Sequence, residues 1–209
     1  MKRLVYFSIL GVATALFSSG AAAHPYGPEY YSFRTVVDLD GRDLRVTTAV
    51  EMPTMKVLEE FAARYGHLEE IGEKEDREFF ASMLKRVADG LSVQIDGAAL
   101  PGDWTAADSP INGRADEQFF YYIVTFEKPG VLPAGGGQLQ LINRVIEDQE
   151  AYYSGWIRPG GGWRVTESNL NALGQSAQTE DVSEIKEAWS KDAALRNLEV
   201  RFAPAAGGE

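Results

Sequence analysis

The chain has 209 residues, a formal net charge of −11 and no cysteine. The absence of cysteine excludes disulfides, thiolate metal sites, cysteine nucleophiles and a lipoprotein anchor. The acidic balance argues against nucleic acid and anionic lipid as partners, because both select a basic surface.

Residues 1–23 have the pattern of a cleavable signal peptide. The basic pair Lys2 and Arg3 precedes a mostly apolar run over 4–17, and Ala21-Ala22-Ala23 then suits signal peptidase. The run is shorter than the about 20 apolar residues of a spanning helix, which disfavours a retained anchor. Cleavage leaves His24 as the first residue, with cleavage one residue earlier as the alternative. The mature protein is expected to be soluble, without direct membrane insertion, and periplasmic or secreted.

The first half of the mature chain predicts a β-hairpin and two helices. Alternating apolar residues flank Asp40-Gly41, which is typical of a hairpin. Apolar residues then recur at three- and four-residue steps, which predicts amphipathic helices over Thr54–Tyr65 and about Lys74–Asp89.

The second half is dominated by strand patterns. Period-two alternation and aromatic or β-branched runs predict these strands, and the two triple-glycine runs are interpreted as hairpin turns. A third helix is predicted over about Asp181 to Leu195. The predicted strands are 91–95 with a return strand from Leu100, 118–126, 139–145, 152–157, 163–166 and 198–202.

These elements predict an α+β, mainly β fold. We expect an antiparallel, β-sandwich-like (Ig-like) domain with two helices inserted between early strands and one near the C-terminus. A single domain over 24–202 is expected, followed by a disordered tail over 203–209 that is rich in alanine and glycine.

The two histidines are the candidate metal ligands. A mature terminus at His24 presents an α-amino group and an imidazole that can chelate one ion, and both become available near neutral pH. His67 is the other histidine of the chain. Such nitrogen ligands suit copper, nickel and zinc. The alternative interpretation is that signal cleavage happens to leave a histidine first.

Other chemistry has weaker support. The chain has no Gly-x-Ser-x-Gly elbow, and its acidic clusters are typical of solvated helix faces. A carboxylate-based hydrolase stays open, because the geometry of paired carboxylates cannot be seen in a sequence.

The order of features in the first half resembles a known family. The start His24-Pro25, an aromatic first strand, a strand ending in Glu51-Met52-Pro53-Thr54, a helix and the run 91–97 are similar to exported bacterial domains. Those domains occur alone or fused ahead of nickel/cobalt transporter-like membrane segments. The resemblance covers about Pro25 to Phe126. It implies an extracytoplasmic accessory domain linked to transition-metal handling, with His24 as a candidate ligand.

This chain departs from the family pattern in two respects. It has no membrane segments after the domain, and Tyr26-Gly27-Pro28-Glu29 replaces a Leu-Gly-Asn-Phe run.

The expected function is therefore a binding or accessory module rather than an enzyme. Its partners would be a transition-metal ion and a membrane transporter or another envelope protein, without nucleic acid. The alternatives are an enzyme, with a copper site at the terminal histidine or with paired carboxylates, and a structural or interaction domain.

Overall fold

The computed structural model describes residues 29–66, 72–116, 118–170 and 189–205. Within these ranges it is mainly β, as the sequence predicts, and it contains the two α-helices predicted in the first half of the mature chain. None of the helices described is long and apolar enough to cross a membrane. The elements are β1 (Tyr31–Asp40), β2 (Asp43–Pro53), α1 (Thr54–Tyr65), α2 (Glu73–Asp89), β3 (Leu91–Ile95), β4 (Ala98–Ala99), β5 (Thr105–Ala106), β6 (Phe119–Lys128), β7 (Gly137–Asn143), β8 (Ala151–Pro159), β9 (Trp163–Ser168), a 3-10 helix (Ala193–Arg196) and β10 (Leu198–Pro204).

The strands form two five-stranded sheets. The first sheet has the order β5-β6-β2-β1-β8, and the second has the order β4-β3-β7-β10-β9. The predicted hairpin is confirmed as β1 and β2, with Gly41 at φ +56° in the turn. One pairing departs from the expected antiparallel arrangement, because β1 and β8 run parallel from Tyr31–Ala151 to Leu39–Pro159. Parallel partners cannot be joined by a tight turn, so local patterns do not predict this pair.

The two glycine-rich turns carry the chain between the sheets. Gly135-Gly136 leads from β6 of the first sheet into β7 of the second, and 160–162 leads from β8 into β9. The prediction that these runs are hairpin turns is therefore wrong about pairing. Glycine is required at Gly136 (φ +87°), where an added Cβ would lie 2.3 Å from the carbonyl oxygen of Phe202.

Both predicted helices form close to their predicted bounds. Helix α1 ends at Gly66, which adopts the left-handed conformation (φ 81°) that favours glycine. Acidic residues fill the first turn of α2, where they stabilise the helix dipole. Gly72 N–H also donates to Glu75 Oε2 at 3.2 Å, which satisfies a free amide at that helix end.

A single hydrophobic core joins the two sheets and the helices. The face of the first sheet that turns toward the second sheet contributes to this core, and we call it the inner face. There Phe33 of β1 stacks on Tyr153 of β8, with ring centroids 5.7 Å apart. Phe80 of α2 stacks on Tyr122 of β6 at 5.6 Å. These contacts confirm a sandwich-like arrangement with helices packed on one end of it.

The C-terminal region differs in detail from its prediction. Of the helix predicted over 181–195, residues 181–188 lie outside the described residues, and the rest forms a β-bridge at Ser190 and the 3-10 helix. Strand β10 continues to Pro204, and Ala205 N–H donates to the carbonyl of Gly162 at 2.7 Å. Residues 203–205 thus belong to the domain rather than to the predicted tail, and 206–209 lie outside the described residues.

Candidate functional site

The outer face of the first sheet, opposite its inner face, carries an unusual set of side chains. The register of β8, β1, β2 and β6 places these side chains in rows that cross all four strands. Such a face ordinarily alternates with a buried one and meets water, yet its two middle rows are mostly buried here. In order along β1 the rows are Tyr152-Ser32-Glu51-Tyr121, Ser154-Arg34-Ala49-Ile123, Trp156-Val36-Thr47-Thr125 and Arg158-Asp38-Arg45-Glu127.

The last of these rows is a line of alternating charges. Arg158 Nη2 donates to Asp38 Oδ2 at 2.6 Å, and Arg158 Nε forms an ion pair with the other carboxylate oxygen. Arg45 Nε lies 3.2 Å from Glu127 Oε1 in an exposed pair. Cross-strand pairs of opposite charge stabilise a sheet modestly. The register therefore fixes the positions of four charges at this end of the sheet.

The charged row borders an open cleft of about 830 Å³ at the β1–β2 turn. Asp40 and Asp43 lie directly opposite each other at its rim. One oxygen of Asp43 accepts the N–H of Gly130 at 2.8 Å. Among the lining residues the charged ones are Asp38, Asp40, Asp43, Arg45, Glu127, Lys128 and Arg158. Four carboxylates thus face three cations, and both arginines already lie in ion pairs.

Two opposite charges are buried in the first two rows. Arg34 is 7 % exposed and Glu51 is 2 % exposed. Their charged groups lie 3.7 Å apart, and Ser32 Oγ donates to Glu51 Oε2 at 2.5 Å. Each charge is therefore compensated inside the protein, which is the condition under which such groups tolerate burial.

Tyr121 adds a phenol at the end of the first row. Its hydroxyl donates to Asp116 Oδ2 at 2.5 Å. Burial raises the pKa of Tyr121, and the hydrogen bond to Asp116 raises it further. The phenol is therefore neutral at physiological pH and acts as a donor.

Residues Trp189, Ser190 and Lys191 form a strap along the free edge of β8. The Trp189 ring lies over the Arg34 guanidinium at 5.4 Å. Ser190 exchanges two backbone hydrogen bonds with Tyr153, of 2.8 and 3.1 Å. Lys191 Nζ lies 3.8 Å from the Tyr30 ring centroid and 5.0 Å from that of Tyr152. The strap therefore covers part of the outer face with Trp189 and Lys191, while Ser190 holds it to the edge of β8.

The predicted metal ligands His24 and His67 both lie outside the described residues. The structure accordingly does not bring them together or separate them, and their pairing stays a prediction. Within the described ranges, no group of three or more histidine, aspartate or glutamate side chains is arranged to hold a metal ion.

Sequence reasoning missed the residues of the outer face. Ser32, Arg34 and Asp38 stand between apolar residues of the first strand, and Glu51 interrupts the end of the second. Charged residues at period-two positions inside strands were the available signal. The burial of these residues could not be predicted from the sequence, because it depends on contacts with distant parts of the chain.

Comparisons with known proteins do not add to this description. No protein-family model matches the chain, and no curated protein matches it significantly.

Proposed function

We propose that this chain is an exported binding module that holds a small organic solute with a cationic group in the cleft at the β1–β2 turn. The observation that carries this proposal is the open cleft of about 830 Å³ beside the fixed row of charges. Ligand sites are commonly concave and combine apolar walls with a few placed polar groups. Here Pro129 and Pro159 line the cleft together with the charges.

The charges of the cleft favour a cation over an anion. Arg158 is engaged by Asp38, and Arg45 is engaged by Glu127. The adjacent Asp40 and Asp43 carry two further negative charges at the rim, against one further cation, Lys128. A ligand ammonium or guanidinium at this rim would compensate them, and the net charge of −11 would help to attract it.

Calorimetric titration of the mature protein with spermidine, arginine and glutamate tests the proposal. We expect spermidine or arginine to bind, and glutamate to give no heat of binding. Asp40→Asn should weaken binding roughly tenfold, because it removes a charge-assisted contact. Asp148→Asn is the matched control, since it removes the same charge from an exposed position that does not line the cleft. Binding of glutamate, absence of binding, or equal weakening by both variants would contradict the proposal.

Transition-metal binding through His24 is the second candidate, and it is supported by the position of His24 directly after Ala21-Ala22-Ala23. His67, the other histidine of the chain, is the candidate second ligand.

Copper(II) and nickel(II) titrations of protein with an authentic His24 terminus test this second candidate. One added residue before His24 provides the control, because it removes the amino group from the chelate while keeping the imidazole. We expect tight binding that the added residue abolishes. Equal binding by both forms, or none by either, would remove metal binding at the terminus from consideration.

A further inference from the structure

Two buried polar groups on the outer face have no hydrogen-bond partner among the residues that the structure describes. They are Ser154 Oγ and Trp156 Nε1, on side chains that are 5 % and 6 % exposed. An unsatisfied buried donor costs free energy that a suitable acceptor recovers. Two such groups side by side therefore indicate an acceptor that this part of the chain does not supply.

The strand register places these groups next to each other. Ser154 and Trp156 are two residues apart on β8, so both side chains lie on the outer face. Arg34 lies directly across from Ser154 on β1, and the Trp189 ring of the strap lies over Arg34. A hydroxyl, an indole N–H and a guanidinium thus share one patch, and the strap covers its guanidinium.

We propose that this patch binds a small uncharged solute through an acceptor oxygen such as that of an amide. The indole N–H of Trp156 is only a donor, so its partner must be an acceptor. An anion is disfavoured, because the charge of Arg34 is already matched by Glu51 at 3.7 Å. A further negative charge would be buried without compensation. A cation is disfavoured because it offers no acceptor.

Access to the patch is through the strap. Among the residues that the structure describes, its backbone is tied to β8 by the pair of hydrogen bonds between Ser190 and Tyr153. Lys191 of the strap also contacts side chains at the surface. These are the Tyr30 and Tyr152 rings and Glu150, whose carboxylate lies 3.5 Å from Lys191 Nζ. In the proposed opening, Ser190 and Lys191 give up this pair of backbone hydrogen bonds and these surface contacts.

Nuclear magnetic resonance of the indole N–H groups tests the proposal in the mature protein. The probes are N-methylacetamide as the uncharged acceptor, with acetate and guanidinium as charged comparators. Trp156→Phe assigns the signal. We expect a saturable shift of the Trp156 indole with N-methylacetamide, and Ser154→Ala should weaken the affinity roughly tenfold by removing one hydrogen bond.

Trp163 is the internal control. Its Nε1 already donates to the Gly41 carbonyl at 2.5 Å, so its signal should stay in place. Lys191→Gln should tighten the apparent affinity, because a loosened strap opens more often. The proposal is overturned if the Trp156 signal does not saturate, if Trp163 shifts equally, if acetate binds better, or if Ser154→Ala leaves the affinity unchanged. The wild-type titration decides the question even where a variant fails to fold.

Discussion

Arg34 and Glu51 illustrate how a polar side chain is accommodated within this fold. Both are almost fully buried, although they belong to the outer face of a sheet. Glu51 accepts the hydroxyl hydrogen of Ser32, and the Trp189 ring covers Arg34. The compensation is mutual, so either charge alone would be left in a medium that solvates it poorly.

Removal of one of the two charges should therefore lower the free energy of unfolding more than removal of both. We expect Arg34→Met to lower the free energy of unfolding by about 3–5 kcal/mol, because it leaves the Glu51 charge buried. Arg34→Met combined with Glu51→Leu should be clearly closer to wild type. Urea unfolding measures both. Lys85→Ala is the control, since it breaks an exposed pair with Asp89 worth at most about 1 kcal/mol. Equal losses for the single and double variants would show that the charges are not coupled.

The parallel pairing of β1 with β8 depends on a glycine within β8. A Cβ on Gly155 would lie 2.9 Å from the Thr35 carbonyl oxygen and 3.4 Å from a Leu170 methyl carbon. The first contact involves the backbone of the paired strand, which cannot turn aside as a side chain can. Gly155 thus permits the close approach of β8, β1 and the residues packed above them.

Gly155→Ala should destabilise the protein by about 1–3 kcal/mol, as overpacking does in other cores. Gly135→Ala is the matched control, because it adds the same methyl group at a position with no atom within 4 Å and no positive φ. Thermal unfolding of the two variants provides the comparison. A Gly155→Ala protein as stable as the control would mean that β8 shifts freely against β1.

Local signals predicted the elements better than their pairing. Asp40-Gly41 between alternating runs identified the first hairpin, and apolar spacing up to Gly66 identified α1. Whether the strand after a glycine run pairs in the same sheet or in the other sheet was not predictable, because a tight turn and a crossing between sheets use the same residues. The outer-face patch was missed for the same reason: Ser154 and Arg34 meet only through the long-range β1–β8 register.

The buried phenols make the free energy of unfolding depend on pH. Burial raises the pKa of Tyr122, and nearby Glu60 and Asp76 raise it further. The folded state therefore retains the phenol proton at pH values where the unfolded chain, with an ordinary pKa near 10, has lost it. The stability contribution is complete below pH 10 and is lost as the pH rises toward the folded pKa.

We expect the free energy of unfolding to decline above pH 10. Tyr122→Phe should reduce the slope by up to about 1.4 kcal/mol per pH unit, because the variant has no phenol to ionise. Urea unfolding between pH 8 and pH 11.5 tests this expectation. The comparison is of slopes, so any constant loss from the missing hydroxyl cancels. An unchanged slope would show that Tyr122 ionises equally in the folded and unfolded chains.

The β1–β8 pairing also affects the order in which the strands pair during synthesis. Asp38 and Arg158 contact each other across 120 residues of sequence, whereas β1 meets β2 through a two-residue turn. Because synthesis starts at the N-terminus, the β1–β2 hairpin can form early. One edge of β1 then lacks its partner until β8 has been made. Pairings between distant segments form slowly, and an open strand edge favours association between chains in the interval. The strand that emerges first is thus completed late, and yield during synthesis should depend on how well that edge is protected until then.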